Sequence, residues 1–317
     1  MATQWLRRAV LLAAAGASAL LLAACGGGSI ASQFHPDRLI VFGDAMADIG
    51  QTGSRYTVND GSRNNWTLFV AREFDRELAP SSSGGLSYAT GNARVAAKPD
   101  AAGNAATPTV TEQIDTFLAS SAVTTNDLVL VNAGTSDVIV QAQAYFSGAQ
   151  SEAQMLANLT AASQALAAQV RRIVSAGATH VVVVGPINLG RSPWANQINQ
   201  NDLLESASRR FNQQLLVSLS DMGSTVLYID AELQFNLYTS QPSAYSLNNV
   251  TEPVCTSADP GPGIGTGTGQ VNSRLCTPST VVTSEYNTYL FADRVYATPR
   301  GHDLFGDHAS SRIRDRW

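Results

Sequence analysis

Short apolar runs recur along the chain and predict strands. Four of them are rich in Val, Ile and Leu and lack polar–apolar alternation, which is typical of strands buried on both faces of a parallel sheet. A fifth run is weaker. The runs lie at 39–42, 86–89, 127–132, 180–185 and 225–229, with 86–89 the weak one.

Longer stretches with helical spacing separate these runs. Trp66, Phe69, Val70 and Phe74, for example, fall on one face of a helix. The predicted helices cover 65–78, 110–118, 152–175 and 194–219, and a final helix contains His302 and His308. Alternation of apolar strands with helices predicts an α/β fold, a three-layer α/β/α sandwich around a parallel sheet of about five strands.

The first 24 residues have the pattern of an export signal. Arg7 and Arg8 precede a run of small and apolar residues from Ala9 to Ala24, which is shorter than the roughly 20 apolar residues of a membrane-spanning helix. The run leads into Leu22-Ala23-Ala24-Cys25, which resembles the lipobox of bacterial lipoprotein signals. This resemblance implies cleavage before Cys25 and acylation of its sulfur. An ordinary secretory signal with an incidental cysteine is the alternative.

We therefore expect an exported protein that is anchored to a membrane by lipid on Cys25. Gly26 follows the cysteine where an inner-membrane retention signal usually has Asp, so the outer membrane of a Gram-negative bacterium is favoured, on either its periplasmic or its surface face. The expected division of the chain is a signal peptide at 1–24, a flexible tether at 25–37 and a single domain at 38–317.

Charge and cysteine content exclude some functional classes. Cleavage after residue 24 removes Arg7 and Arg8 and no acid, which moves the formal charge from −5 to −7. An acidic chain without a basic cluster is a poor binder of nucleic acid. Cys255 and Cys276 flank a Gly-, Thr- and Pro-rich stretch, read as a surface loop, and such a pair in an oxidising compartment is most simply a disulfide. Metal binding is the alternative, but no His or third Cys lies nearby in sequence, and we expect neither metal nor cofactor.

Four short motifs carry the candidate chemistry. Three of them lie at predicted carboxyl ends of strands, where open parallel sheets place functional residues. The motifs read VFGDAMADIG at 41–50, SYATGNA at 87–93, GTSD at 134–137 and FADRVYAT at 291–298, the last followed by Gly301-His302.

In order and spacing these motifs resemble the blocks of GDSL (SGNH) ester hydrolases, which read F-G-D-S-x-x-D-x-G, N-F/Y-A-x-G-G-A, G-x-N-D and F-x-D-x-V-H-P-T…G-H. The resemblance covers the chain from Leu39 to about His308. It implies the flavodoxin-like SGNH fold and a lipase or esterase ancestry, in the phospholipase-like secreted branch. The Cys255 and Cys276 pair also fits members of that branch.

Three positions depart from the catalytic pattern of this family. Ala45 stands in place of the nucleophilic serine, Tyr296 in place of the catalytic histidine, and Ser136 in place of the asparagine that binds the oxyanion. Gly91 matches the oxyanion glycine, and Asp293 matches the acid that orients the histidine. A methyl group cannot attack an ester, and a tyrosine, with a reference pKa of about 10, donates a proton at neutral pH instead of accepting one. The Ser-His-Asp route is therefore expected to be closed.

Four further polar residues of these motifs are assigned supporting roles: Asp44, Asp48, Asp137 and His302. Asp44 and Asp48 are expected to stabilise the turn around position 45, and His302 is expected to be structural. Asp44 and His302 are also the candidate bases for a substituted mechanism in which water attacks the ester.

Three functions follow from these residues. The leading hypothesis is a lipid-anchored, non-catalytic homologue that binds an acyl or acetyl ester or a cell-envelope partner. The second is an active esterase or lipase with a substituted mechanism. The third is a structural envelope lipoprotein whose cleft has filled in, which the bulky Met46 and Tyr296 would favour. Hydrolysis of a chromogenic short-chain ester separates the second hypothesis from the other two. The sequence does not specify an oligomeric state.

The lipobox predicts that cells grown with labelled palmitate attach the label to this protein. Cys25→Ser should abolish the incorporation, because the acylated sulfur is lost, whereas Ser29→Ala in the same segment should leave it unchanged. Gel fluorography of the immunoprecipitated protein measures this. Label that persists in Cys25→Ser contradicts lipidation at this residue.

Overall fold

A four-stranded parallel sheet forms the centre of the computed structural model, which describes residues 34–62 and 64–317. The strand order is β1-β2-β3-β4, with bounds β1 (Arg38–Gly43), β2 (Asp127–Asn132), β3 (His180–Val184) and β4 (Val226–Ile229). Every residue of β2 is buried. The unbroken apolar composition of these strands is explained by helices on both faces of the sheet.

The backbone at 86–90 adds a minimal fifth strand beside β1. The Val41 N–H donates to the Leu86 carbonyl at 3.0 Å, and the Tyr88 N–H donates to the Val41 carbonyl at 2.7 Å. These contacts form one parallel bridge between Val41 and Ser87. The weak apolar run therefore lies at the sheet edge, and the prediction of about five strands is confirmed.

Eight α-helices in the described part of the chain form the two outer layers. Their bounds are α1 (Trp66–Glu73), α2 (Val110–Ser120), α3 (Thr135–Phe146), α4 (Glu152–Ser175), α5 (Pro193–Ile198), α6 (Asn201–Leu219), α7 (Ala231–Ser240) and α8 (Pro299–Arg316). Helix α1 packs against α8, whereas α4 packs against α3 and α6. The predicted three-layer α/β/α sandwich is confirmed.

Local signals set the ends of several helices. Thr109 and Glu112 form a capping box at the start of α2, with the Thr109 hydroxyl accepting the Glu112 N–H. The stretch 194–219 was predicted as one helix and is two. Asn199 adopts a φ of 55° at the end of α5, and a residue in the left-handed region cannot continue a right-handed helix.

A second, two-stranded parallel sheet lies outside the predicted pattern. It pairs β5 (Asn249–Pro253) with β6 (Tyr289–Phe291). The last of the four motifs begins at the end of β6 and ends directly before α8, which contains Gly301 and His302. This small sheet therefore positions Asp293 and Tyr296.

Packing of the described chain begins at Phe34, inside the segment expected as tether. Its ring stacks on His180 with centroids 3.9 Å apart and lies edge-on to Phe74 and Trp317. The predicted signal peptide, the lipidation at Cys25 and the remaining tether to residue 33 fall outside the described residues. Among the described helices, none combines the length and the apolar character needed to cross a bilayer.

Cys255 and Cys276 form a disulfide, with their Cα atoms 5.8 Å apart. The loop between them was expected to lie on the surface, but Ile264 within it is buried. A Cβ atom at Gly265 would lie 2.3 Å from the Ala101 carbonyl oxygen. The loop therefore packs against the segment near residue 101 instead of projecting into solvent.

Loss of this disulfide should destabilise the domain. The double variant Cys255→Ser, Cys276→Ser should lower the free energy of unfolding by about 3 kcal/mol, because the unfolded chain regains the entropy of an open loop of about twenty residues. Urea unfolding of the oxidised wild type and of the double variant measures the difference. Mass spectrometry of a non-reduced digest should recover the two cysteines in one crosslinked peptide pair that excludes Cys25, and equal stabilities would contradict the prediction.

Candidate active site

The first and third motifs lie at the carboxyl ends of β1 and β2. Ala45 follows β1, and Ser136 lies in the first turn of α3, directly after β2. The two strand ends approach closely at Gly43, where a Cβ atom would lie 2.0 Å from the Asn132 carbonyl oxygen. Only glycine permits this approach, so Gly43 brings the first and third motifs together.

Asp44 joins the first motif to α3. Its carboxylate is fully buried, and Oδ2 accepts the Thr135 N–H at 3.0 Å while Oδ1 accepts the Met46 N–H at 3.2 Å. Burial raises the pKa of Asp44 to about 7, and backbone N–H donors, including that of Ser136, only partly offset it. The carboxylate therefore acts as an acceptor that holds backbone in place.

The Asp48 carboxylate accepts a hydrogen bond from the Gly91 N–H, the group that the resemblance assigns to oxyanion binding. Its Oδ2 accepts the Gly91 N–H at 2.8 Å, and its Oδ1 accepts the N–H groups of Gly50 and Gln51. The Gly91 N–H is therefore engaged, contrary to its expected role. The next N–H along the chain, that of Asn92, makes no hydrogen bond within the described residues, and Asn92 adopts a φ of 63°.

Ala45, Ser136 and Tyr296 are all buried, with exposed fractions of 1%, 0% and 1%. The Ser136 hydroxyl is near enough to the Tyr296 phenol to lower its pKa. The geometry nevertheless falls short of a hydrogen bond, and neither hydroxyl has a partner within the described residues. Burial, assisted by the carboxylates of Asp44 and Asp293, holds the pKa of Tyr296 well above its ordinary value. Tyr296 is thus a neutral phenol that cannot accept a proton.

Tyr56, which belongs to none of the motifs, covers this centre. Its ring lies edge-on to that of Tyr296, with centroids 5.3 Å apart. A Cβ atom at Gly91 would lie 2.1 Å from the Tyr56 hydroxyl oxygen, so Tyr56 packs directly on that glycine. Ala45 and both tyrosines are buried, and no motif pattern indicates Tyr56 in advance.

Asp293 holds the disulfide loop in place. Its Oδ1 accepts the N–H groups of Val295 and Tyr296 at 2.8 and 2.7 Å, and its Oδ2 accepts the Ser273 N–H at 3.0 Å and the Ser273 hydroxyl at 2.5 Å. Burial raises the pKa of Asp293, and these hydrogen bonds oppose the rise. In place of a histidine ring, Asp293 orients its own turn and Ser273.

Asp137 and His302 also make structural contacts. Asp137 accepts the Val95 N–H at 2.9 Å and forms a buried ion pair with Arg94 at 3.3 Å. The Nδ1 atom of His302 accepts the Trp66 N–H at 3.3 Å, which ties α8 to the first turn of α1. Burial lowers the pKa of His302 to about 3.

Residues 39–309 match the sequence profile of the family described as GDSL-like Lipase/Acylhydrolase, a span that includes all four motifs. The chain belongs to this family. No curated protein matches the chain.

Several solved structures resemble this GDSL-family chain. A catalytic mutant of Axe2, an acetylxylan esterase from Geobacillus stearothermophilus, is 14% identical over 90% of this chain and 96% of its own, with a TM-score of 0.47. Est24, a carbohydrate acetylesterase from Sinorhizobium meliloti, is 13% identical over 88% and 99%, with a TM-score of 0.47. The aryl esterase of M. smegmatis is 15% identical over 88% and 99%, with a TM-score of 0.46. These identities and TM-scores are too low to indicate a shared substrate.

An open cleft of about 270 Å³ lies beside the closed centre of the GDSL-family domain. Three loops line it, at 48–56, 90–107 and 259–274, and Tyr56 separates it from Tyr296. Sequence motifs could not indicate this cleft, because its lining residues are distant in the chain. Within the described residues, no group of three or more His, Cys, Asp or Glu side chains is arranged to hold a metal ion.

His302 should make stability depend on pH. Its pKa is about 3 in the folded state against 6.5 for the ordinary group, so the unfolded chain takes up a proton first. The stability that neutral, buried His302 contributes to the folded state is fully present above pH 6.5 and is lost as the pH falls toward 3. At pH 5 the loss should be about 2 kcal/mol.

The measurement compares urea unfolding at pH 7.5 and pH 5. His302→Asn keeps an acceptor for the Trp66 N–H but does not titrate, so its loss between the two pH values should be smaller than that of the wild type by about 2 kcal/mol. The exposed His35→Asn is the matched control and should behave as wild type. An equal pH dependence in wild type and His302→Asn would contradict the structural assignment.

Proposed function

We propose that this GDSL-family chain is an exported, lipid-anchored envelope protein that binds a ligand and does not hydrolyse esters by the Ser-His-Asp route. The observation that carries the proposal is the state of the centre: a methyl group stands at the buried Ala45, and the buried rings of Tyr56 and Tyr296 pack against each other. The export pattern of residues 1–25 supports the envelope location, and Gly26 favours the outer membrane.

The chemistry of acyl transfer supports the absence of catalysis. The reaction needs an activated nucleophile, a base that takes its proton and donors that stabilise the oxyanion. In a serine protease, loss of the nucleophile or the base alone lowers turnover by about 10⁶-fold. Here Ala45 and Tyr296 replace both, and the Gly91 N–H is taken by Asp48.

A substituted mechanism has little support from the geometry. Asp44 has a pKa suited to a general base, but its carboxylate is fully buried and accepts backbone N–H groups, so water does not reach it. His302 is buried, its Nδ1 is engaged by the Trp66 N–H, and a pKa of about 3 makes it a weak base.

A purely structural role is the second candidate. It is supported by the packing of Met46, Tyr56 and Tyr296 in the centre, all three of which are buried. The neighbouring cleft supports ligand binding instead, since a domain with only a scaffold role needs no polar cavity. Ligand-induced thermal stabilisation separates the two, because a ligand stabilises the folded state only if it binds there.

The wild-type protein should hydrolyse a chromogenic acetyl ester no faster than the buffer alone does, and a fluorophosphonate should not label the protein. Ala45→Ser alone should recover little, because Tyr296 still cannot take the proton. Ala45→Ser combined with Tyr296→His and Ser136→Asn should gain more in log rate than the single changes together, because triad members act as a unit.

Robust hydrolysis by the wild type, unaffected by Asp293→Asn, would overturn the non-catalytic proposal. It would require a catalytic site elsewhere in the chain. Stability of each variant is checked by its thermal midpoint, since all substituted positions are buried.

A further inference from the structure

We propose that the cleft beside the closed centre binds a neutral saccharide, with Arg274 and Asn92 as its principal contacts. This deepens the proposed function by naming the ligand class. The proposed saccharide site is inferred from the polar groups of the cleft and does not depend on the loss of catalysis.

Two groups in the cleft have hydrogen-bonding capacity that the chain does not use. Arg274 lines the cleft, and its guanidinium makes no hydrogen bond or ion pair within the described residues. Asn92 is 7% exposed and donates through Nδ2 to the Gly263 carbonyl at 3.0 Å, but its Oδ1 has no partner among the described residues. A buried polar atom without a partner is costly. A ligand hydroxyl would satisfy Oδ1 once the Asn92 side chain, which lines the cleft, turns toward the ligand.

Three carboxylates complete the polar lining and argue against an anionic ligand. Asp48, Asp100 and Asp259 line the cleft, where Arg274 is the single cationic side chain. A ligand with a negative charge would meet three acids and one base, so the Coulomb interaction opposes its binding.

The same carboxylates can still accept hydrogen bonds from a neutral ligand. Asp259 accepts the Gly261 N–H at 2.8 Å and the Asn272 amide at 2.7 Å, one bond on each oxygen. A carboxylate offers about four acceptor positions, so capacity remains. A cleft with both free donors and free acceptors suits hydroxyl groups, which donate and accept at once.

The size and composition of the cleft exclude a long acyl chain. Its volume of about 270 Å³ lies just below the usual range of ligand pockets, roughly 300–1,000 Å³. Only Tyr56, Ala102 and Pro262 among the lining residues have apolar or aromatic side chains, too few to enclose a fatty acyl chain. The ring of Tyr56 gives one apolar wall, which fits the C–H face of a sugar ring.

The test is a glycan array of neutral and acidic bacterial oligosaccharides probed with the mature protein, followed by calorimetry with the best neutral binder. Arg274→Gln and Asn92→Gly should each weaken binding by about tenfold, because each removes a hydrogen-bonding group. Glycine tolerates the φ of 63° at position 92. Arg210→Gln is the matched control: it removes an equally charged, exposed residue of α6 outside the cleft lining and should bind as wild type.

Three outcomes would overturn the proposal: no neutral saccharide bound by the folded protein, binding of acidic saccharides alone, or unchanged affinity in both Arg274→Gln and Asn92→Gly. Thermal midpoints equal to that of the wild type establish that the variants are folded. Ester hydrolysis would contradict the proposed absence of catalysis but not the proposed saccharide site. If the protein neither hydrolyses esters nor binds a saccharide, only the proposed saccharide site is contradicted.

Discussion

The buried carboxylate of Asp44 is the contact on which the geometry of the site depends. It stands at the end of β1 and accepts the Thr135 N–H at the start of α3, so it joins the ends of two neighbouring strands. Gly43 allows the approach, because any Cβ atom there would collide with the Asn132 carbonyl. Removing a carboxylate from water is costly, and the raised pKa of Asp44 reflects that cost. The positions of Ala45 and Ser136 follow from this single bridge.

Residues of the family's pattern persist in this chain because they hold the backbone. Asp48 binds the loop at Gly91, and Asp293 binds the disulfide loop at Ser273. Such contacts are needed whether or not an ester is cleaved, so the presence of these acids does not indicate catalysis. The positions that changed, Ala45 and Tyr296, are those whose side chains would act on substrate, and in this chain they belong to a packed core.

Much of the fold could be predicted from local pattern. The bounds of β2 and of α4 agree with the predicted ones, because an unbroken apolar run and a long amphipathic stretch are strong signals. The helices α3 and α7 were not predicted. Helix α3 has Gly134 as its N-cap and therefore no side-chain cap, and its buried residues lie mostly in its first half, so its periodicity is weak. The strands β5 and β6 are short and pair across a long loop, which no local pattern reveals.

The sequence by itself determined the family, the layered architecture and the absence of a serine and a histidine at the catalytic positions, because each of these depends on residue identity and spacing. Only the tertiary structure decided that the Gly91 N–H is engaged, that Tyr56 closes the centre and that a polar cleft remains beside it. The physical reason is distance along the chain. Tyr56, Gly91 and Arg274 become neighbours only when three separate loops fold over one end of the sheet, and packing and hydrogen bonding between them have no signature in any one segment.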